Sequence, residues 1–259
     1  MRLLLISFLL FTFPLFATQK IEIVTGEWAP FSGKKLPEKG LVLQIIREAY
    51  RQQGVTAEFF FTPWARAMQF ATSGKTIASA FWVKSAEREK TVIYSDPVFL
   101  STAHFFYLKK VRFHWKQPTD LYGKNIGIGR GYYYGDTLED LEKKQRIQVT
   151  RTTHETDLFQ LLIQNQLDLV ITEVNIGRYM LQNQMRSKMR GLVDAHPTPF
   201  YISELHVVYS RKRHESTMFL KQLNQGLKAI QESGRYQAII DTYMNGALRG
   251  KIDSNLKKE

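Results

Sequence analysis

The chain has 259 residues, 44% of them hydrophobic, no cysteine and a formal net charge of +12. That composition excludes a disulfide framework, a cysteine nucleophile, a cysteine-linked lipid anchor and the weakly hydrophobic, disordered class. The basic residues are scattered and no nucleic-acid-binding motif accompanies them, so the charge reads as favouring anionic surfaces or ligands, with no nucleic-acid partner.

In chain order, Arg2 comes first, ahead of an apolar run from Leu3 to Phe16 interrupted only by Ser7, Thr12 and Pro14; Ala17 follows as a small residue. A basic start, an apolar stretch too short to span a bilayer comfortably and a small exit residue predict a secretory signal over 1–17, and a periplasmic protein that is not a lipoprotein. The remainder is long enough for one large domain or two smaller ones.

Strand and helix patterns then alternate. Lys20 to Thr25 reads as a strand. Leu41 to Gln53 reads as a helix with Val42, Ile45, Ile46 and Ala49 on one face and Gly54 as its stop. Val55 to Thr62 is a strand, Trp64 to Thr72 a short helix opened by Pro63, and Ile77 to Val83 a buried strand. The second half repeats the scheme: strands at Asn125 to Gly129, Ile147 to Arg151, Leu167 to Thr172 and Leu205 to Ser210; helices at Gly135 to Lys144, Glu155 to Gln166 and Asn175 to Gln184. Two further helices, Glu215 to Glu232 and Tyr236 to Met244, close the pattern before a basic tail, Arg249 to Lys258.

Repeated βα units with short connections predict a mostly parallel α/β sheet. The chain divides into two α/β lobes, 18–109 with 201–259 and 110–200, with crossings near Tyr107 to Val111 and Thr198 to Ser203. Ligands of open α/β sheets sit outside the carboxyl ends of the strands, so two facing lobes would enclose one cleft.

Several fragments carry a resemblance. Gly26-Glu27-Trp28-Ala29-Pro30-Phe31, Trp64-Ala65-Arg66-Ala67, Ser85-Ala86-Glu87-Arg88, Tyr94-Ser95-Asp96-Pro97-Val98, Ile126 to Gly131, Leu167 to Glu173 and Gly234-Arg235-Tyr236 occur in this order. Together they resemble the family 3 extracellular solute-binding proteins, the polar-amino-acid receptors of ABC importers, in a branch whose ligand is open. The resemblance implies a type II periplasmic-binding-protein fold: two α/β lobes, a two-stranded hinge and a central cleft. It also implies a monomer that binds a small polar molecule, delivers it to a membrane permease or reports it to a membrane sensor, and carries no cofactor.

The residues alone favour a surface arginine among Glu87, Glu89 and Lys90; the resemblance instead makes Arg88 the partner of a ligand carboxylate, a role suited to the planar guanidinium fork. Glu173 matches the family's aspartate for a ligand ammonium, and it also stands where a carboxylate favours the start of the following helix. Val83 replaces the family's serine or threonine, and Tyr132-Tyr133-Tyr134 follow Gly131 where a threonine is usual.

Trp28, Trp64 and Trp82 are candidates for an aromatic wall, or for core packing. Glu27 and Arg66 are polar neighbours of those rings, able to touch ligand or each other. Arg130, Tyr132 and Tyr133 follow a glycine-rich strand end that lets backbone approach a ligand. Tyr134 completes the triplet, of which one or two rings should face the cleft. Trp115 reads as packing. The six histidines show no metal-ligand spacing and no nucleophile elbow is present, so no metal and no catalysis are expected. A dehydratase on the same fold, with Glu173 as acid, is the alternative.

Overall fold

The computed structural model describes residues 19–248; the signal segment and the basic tail read from the sequence lie outside the described residues. Strand β1 (Gln19–Thr25) leads into α1 (Leu41–Arg51), β2 (Val55–Phe61), α2 (Trp64–Ser73), β3 (Ala78–Val83), α3 (Ala86–Glu89) and β4 (Val92–Tyr94). The long β5 (Phe99–Leu108) precedes β6 (Asn125–Gly129), α4 (Asp136–Lys143), β7 (Gln148–Thr152), α5 (Glu155–Ile163) and β8 (Leu169–Glu173). After α6 (Val174–Asn183), α7 (Ser187–Arg190) and β9 (Val193–Ala195), β10 (Tyr201–Ser210) returns, and α8 (Ser216–Glu232) and α9 (Arg235–Leu248) follow.

The strands join in the order β2-β1-β3-β10-β5-β8-β6-β7, with β4 on β10 and β9 on β5. The sheet is mixed, a correction to the mostly parallel one expected. Strands β1, β2 and β3 are parallel, as are β6, β7 and β8, but β10 and β5 run antiparallel to each other and to their outer neighbours. The sequence pattern does not reveal β5, and it marks β10 only from Leu205, four residues after its start.

Alternation along β1 and the buried stripe Leu41, Val42, Ile45, Ile46, Ala49 and Tyr50 of α1 build one core, which α8 covers through Phe219, Leu223, Leu227 and Ile230. Within it the hydroxyls of Tyr50 and Tyr209 meet at 2.6 Å, and Tyr50 also donates to the Phe219 carbonyl at 3.2 Å, which satisfies polar groups that burial would otherwise strand. Two other clusters coat opposite faces of β5, β6 and β8: Phe105, Ile126, Leu138 and Ile171 on one, Phe106, Leu158, Phe159 and Val170 on the other. Strand β5 passes from the first core at Phe99 to the second at Ala103, upstream of the crossing expected near Tyr107. Helix α6 breaks the partition: Ile176 and Tyr179 are buried in the first core.

Candidate functional site

A cavity of about 760 Å³ opens where the C-terminal ends of β3, β6 and β8 face the N-terminal halves of β5 and β10. Trp28, Trp64, Phe81, Trp82 and Arg88 form one wall; Arg130, the three tyrosines, Thr172 and Glu173 form the other. A volume of that size suits a small molecule, and the mixture of aromatic rings with a few charged groups is the usual make-up of such a site.

The aromatic wall is built by close approach. A Cβ on Gly26 would lie 2.2 Å from the Trp64 ring, so only glycine lets that indole lie against the end of β1. Trp64 meets Trp82 edge-on at 5.7 Å and Phe81 at 6.3 Å. Phe81 was missed in the sequence. It is the extra residue of a bulge, since β10 pairs His206 with Trp82 and Val207 with Ala80, and its φ of 74° is left-handed. Such conformations are costly for a bulky residue and cluster at functional sites; here the bulge turns an aromatic ring into the cleft wall.

Arg88 lies on α3, whose N-cap is Ser85; the Ser85 hydroxyl accepts the Arg88 amide at 3.3 Å. One guanidinium nitrogen donates to the Val83 carbonyl at 3.1 Å, and the group stands 5.2 Å from the Trp82 ring centre. The neighbouring carboxylate of Glu89 is taken by Lys84 at 2.9 Å. Among the described residues no carboxylate pairs with Arg88, so a half-buried, oriented fork faces the cavity with donors to spare.

On the other wall, a Cβ on Gly129 would sit 2.6 Å from the Tyr132 ring, which therefore folds back over the end of β6. From there Tyr132 reaches across to Trp28, ring centres 6.4 Å apart. The Tyr133 hydroxyl donates to Asp136 and its ring meets Tyr201 at 5.8 Å. Tyr134 is buried in the second core and also lines the cavity. Arg130 lines it as well, exposed, its amide tied to Thr152.

Glu173 combines both readings made of it. Its carboxylate caps α6, accepting the amides of Asn175 at 2.7 Å and Ile176 at 2.9 Å and the Asn175 side chain at 3.1 Å, and it also lines the cavity. Burial pushes its carboxyl up to about 7, with the Ile176 and Asn175 amides pulling the other way. A raised native pKa stabilises the fold fully below the unfolded value of 4.5. The advantage is lost as pH rises through about 7, on the order of 3 kcal/mol across that window at about 1.4 kcal/mol per unit. Glu173→Gln keeps an acceptor for the helix amides and removes the titration. Chemical denaturation from pH 4.5 to 8 should show the variant gaining on the wild type as pH rises; parallel curves would refute this.

Glu27 and Arg66 are not in the cleft, a correction with a local reason in each case. Trp28 turns inward, and its neighbour Glu27 is exposed and accepts the Lys34 amide at 3.2 Å. Arg66 stands two residues after Trp64 on α2, positions that face different sides of a helix, and is exposed. Trp115 packs against Phe105 and Phe200 in the second core. Glu155 was read only as a helix start; it is buried, and its carboxylate accepts the Thr172 hydroxyl at 2.6 Å. Among the described residues no cluster of metal-ligating side chains occurs, and no helix is long and apolar enough to cross a membrane.

Residues 21–246 match the model of the bacterial extracellular solute-binding proteins, family 3. A protein of Shewanella frigidimarina described as a sensor is 28% identical over 174 residues, 66% of this chain; the match spans about a quarter of that relative's length, 24%. Among solved structures, an amino acid ABC transporter substrate-binding protein of Streptococcus pneumoniae bound to L-arginine has a TM-score of 0.67 at 17% identity, covering 88% of this chain and 96% of that one. A histidine kinase sensor domain with similarity to periplasmic binding proteins gives 0.65 at 16% identity, covering 87% and 96%. The fold is thus the type II periplasmic-binding-protein fold, with two α/β lobes about a cleft. With the match running through nearly all of the described residues, the chain belongs to the bacterial extracellular solute-binding proteins of family 3.

Proposed function

We propose that the protein is a periplasmic receptor that captures a small polar molecule, an amino acid or a related compound, by closing two lobes on it, without chemical conversion. The lobes are 18–109 with 201–259 and 110–200, joined through β5 and β10. The observation that carries the reading is the cavity itself. Arg88 stands on one wall with no carboxylate paired to it among the described residues, the buried Glu173 carboxyl on the other, and tryptophan and tyrosine rings between them. Arg88 takes the ligand's carboxylate, Glu173 its cationic end, and Trp28, Trp64, Trp82, Arg130, Tyr132 and Tyr133 complete the enclosure. The protein acts as a monomer toward a membrane partner, an ABC permease or a sensor. The sensor role draws support from the Shewanella relative, three quarters of which lies outside the match.

Native mass spectrometry against amino acids, short peptides and amines tests this, followed by thermal shift with any binder. One molecule bound per chain is expected, recovered unchanged, with a gain of about 2.7 kcal/mol at a hundredfold excess over Kd. No binder in any class contradicts the receptor reading, and a converted molecule favours the dehydratase alternative.

A further inference from the structure

Glu155 lies outside every role given so far. It opens α5, is buried, and holds Thr172 through a 2.6 Å hydrogen bond; Thr172 lines the cleft immediately before Glu173. No cation is paired with it among the described residues. Burial pushes its carboxyl up, with the Thr172 hydroxyl pulling the other way, and Tyr132 and Tyr134 line the same wall. A buried carboxylate with one hydroxyl donor is poorly compensated, and such groups are ordinarily paired with a cation. The opposite arrangement holds across the cleft, where Arg88 lines the facing wall with no carboxylate paired to it among the described residues, Lys84 beside it being taken by Glu89. Among the described residues Arg88 thus has no paired anion and the buried Glu155 and Glu173 have no paired cation, Arg130 on their wall being exposed and in no ion pair, and the missing partners can come from one bound molecule.

We propose that Glu155 is a specificity-determining residue: behind Thr172 and beside Glu173, it makes the end of β8 the seat of a cationic N–H group of the ligand, an ammonium or guanidinium. Glu155 acts through Thr172. By accepting the hydroxyl's hydrogen bond it leaves the Thr172 oxygen lone pairs free as acceptors, and, ionised by the bound cation, its charge adds to that of Glu173. The inference rests on the reading of the cleft as a small-molecule site.

The test is isothermal titration of the mature protein with L-arginine, L-lysine, putrescine, L-glutamine and glutarate, on wild type, Glu155→Gln, Glu155→Asp and Arg88→Ala. An amine-bearing probe should bind the wild type, and Glu155→Gln should weaken it about tenfold or more, as expected for removing one charge from a charge-assisted contact. Glu155→Asp should retain more affinity than Glu155→Gln. A purely structural role gives the reverse order, because glutamine keeps the shape and aspartate does not, and that result overturns the proposal. So does an amine-bearing probe that binds Glu155→Gln within threefold of wild type, or binding by glutarate alone. In both of these cases a loss in Arg88→Ala leaves the cleft reading standing. If no probe binds the wild type, the proposal falls, and the mass-spectrometric screen decides the cleft reading separately.

Discussion

Replacing Arg88 by alanine is expected to weaken binding of a carboxylate ligand by about 30-fold to several thousandfold. The guanidinium is fixed by the Val83 carbonyl and the Trp82 ring before any ligand arrives, so little ordering remains to be done on binding. A closed cleft excludes water, and stripping one partner from a buried, hydrogen-bonded charge pair costs roughly 2–5 kcal/mol. Arg88→Lys keeps the charge and loses the fork, so it should fall between wild type and alanine. An arginine serving only the protein surface would change affinity by no more than about 1 kcal/mol and lose that in salt. Titration of the three proteins with the ligand found by the mass-spectrometric screen decides between them; alanine within threefold of wild type removes Arg88 as the anchor.

The second large effect is on stability. Phe105 is fully buried on β5, with Phe200 at 4.9 Å, Trp115 at 5.3 Å and Phe113 at 5.6 Å. Phe105→Ala leaves a cavity that these rings cannot collapse into without leaving their own contacts, and should cost about 3–5 kcal/mol. At roughly 2–4 °C per kcal/mol for a chain of this size, the melting temperature should drop by roughly 6–20 °C. Urea denaturation should show a lower midpoint with an unchanged slope. A loss under about 1 kcal/mol would mean that these rings do not form a packed core.

Features with a local cause were legible in the sequence. The stripe of α1 and the apolar run of β8 announce themselves by period and composition, and the structure has both. Strand β5 hid because it runs between two cores, and its burial follows neither alternation nor a uniform run. Phe81 hid for a similar reason. Its bulge is set by the pairing of its neighbours Ala80 and Trp82 with Val207 and His206, far along the chain, and nothing adjacent marks it. Glu155 looks like any acidic helix start; the hydroxyl that meets its buried carboxylate belongs to Thr172, seventeen residues on. Glu27 and Arg66 failed in the other direction, since proximity in sequence to a tryptophan does not put a side chain on the tryptophan's side of the backbone.

Closure is tested most directly by a distance across the cleft. The chain has no cysteine, so Glu87→Cys on α3 and Thr137→Cys on α4, both exposed positions, can be spin-labelled as a unique pair. With saturating ligand the distance distribution should shift to a shorter, narrower one, and Arg88→Ala should stay at the longer distance under the same conditions. A distribution that does not move when the ligand is shown to be bound would contradict capture by lobe closure.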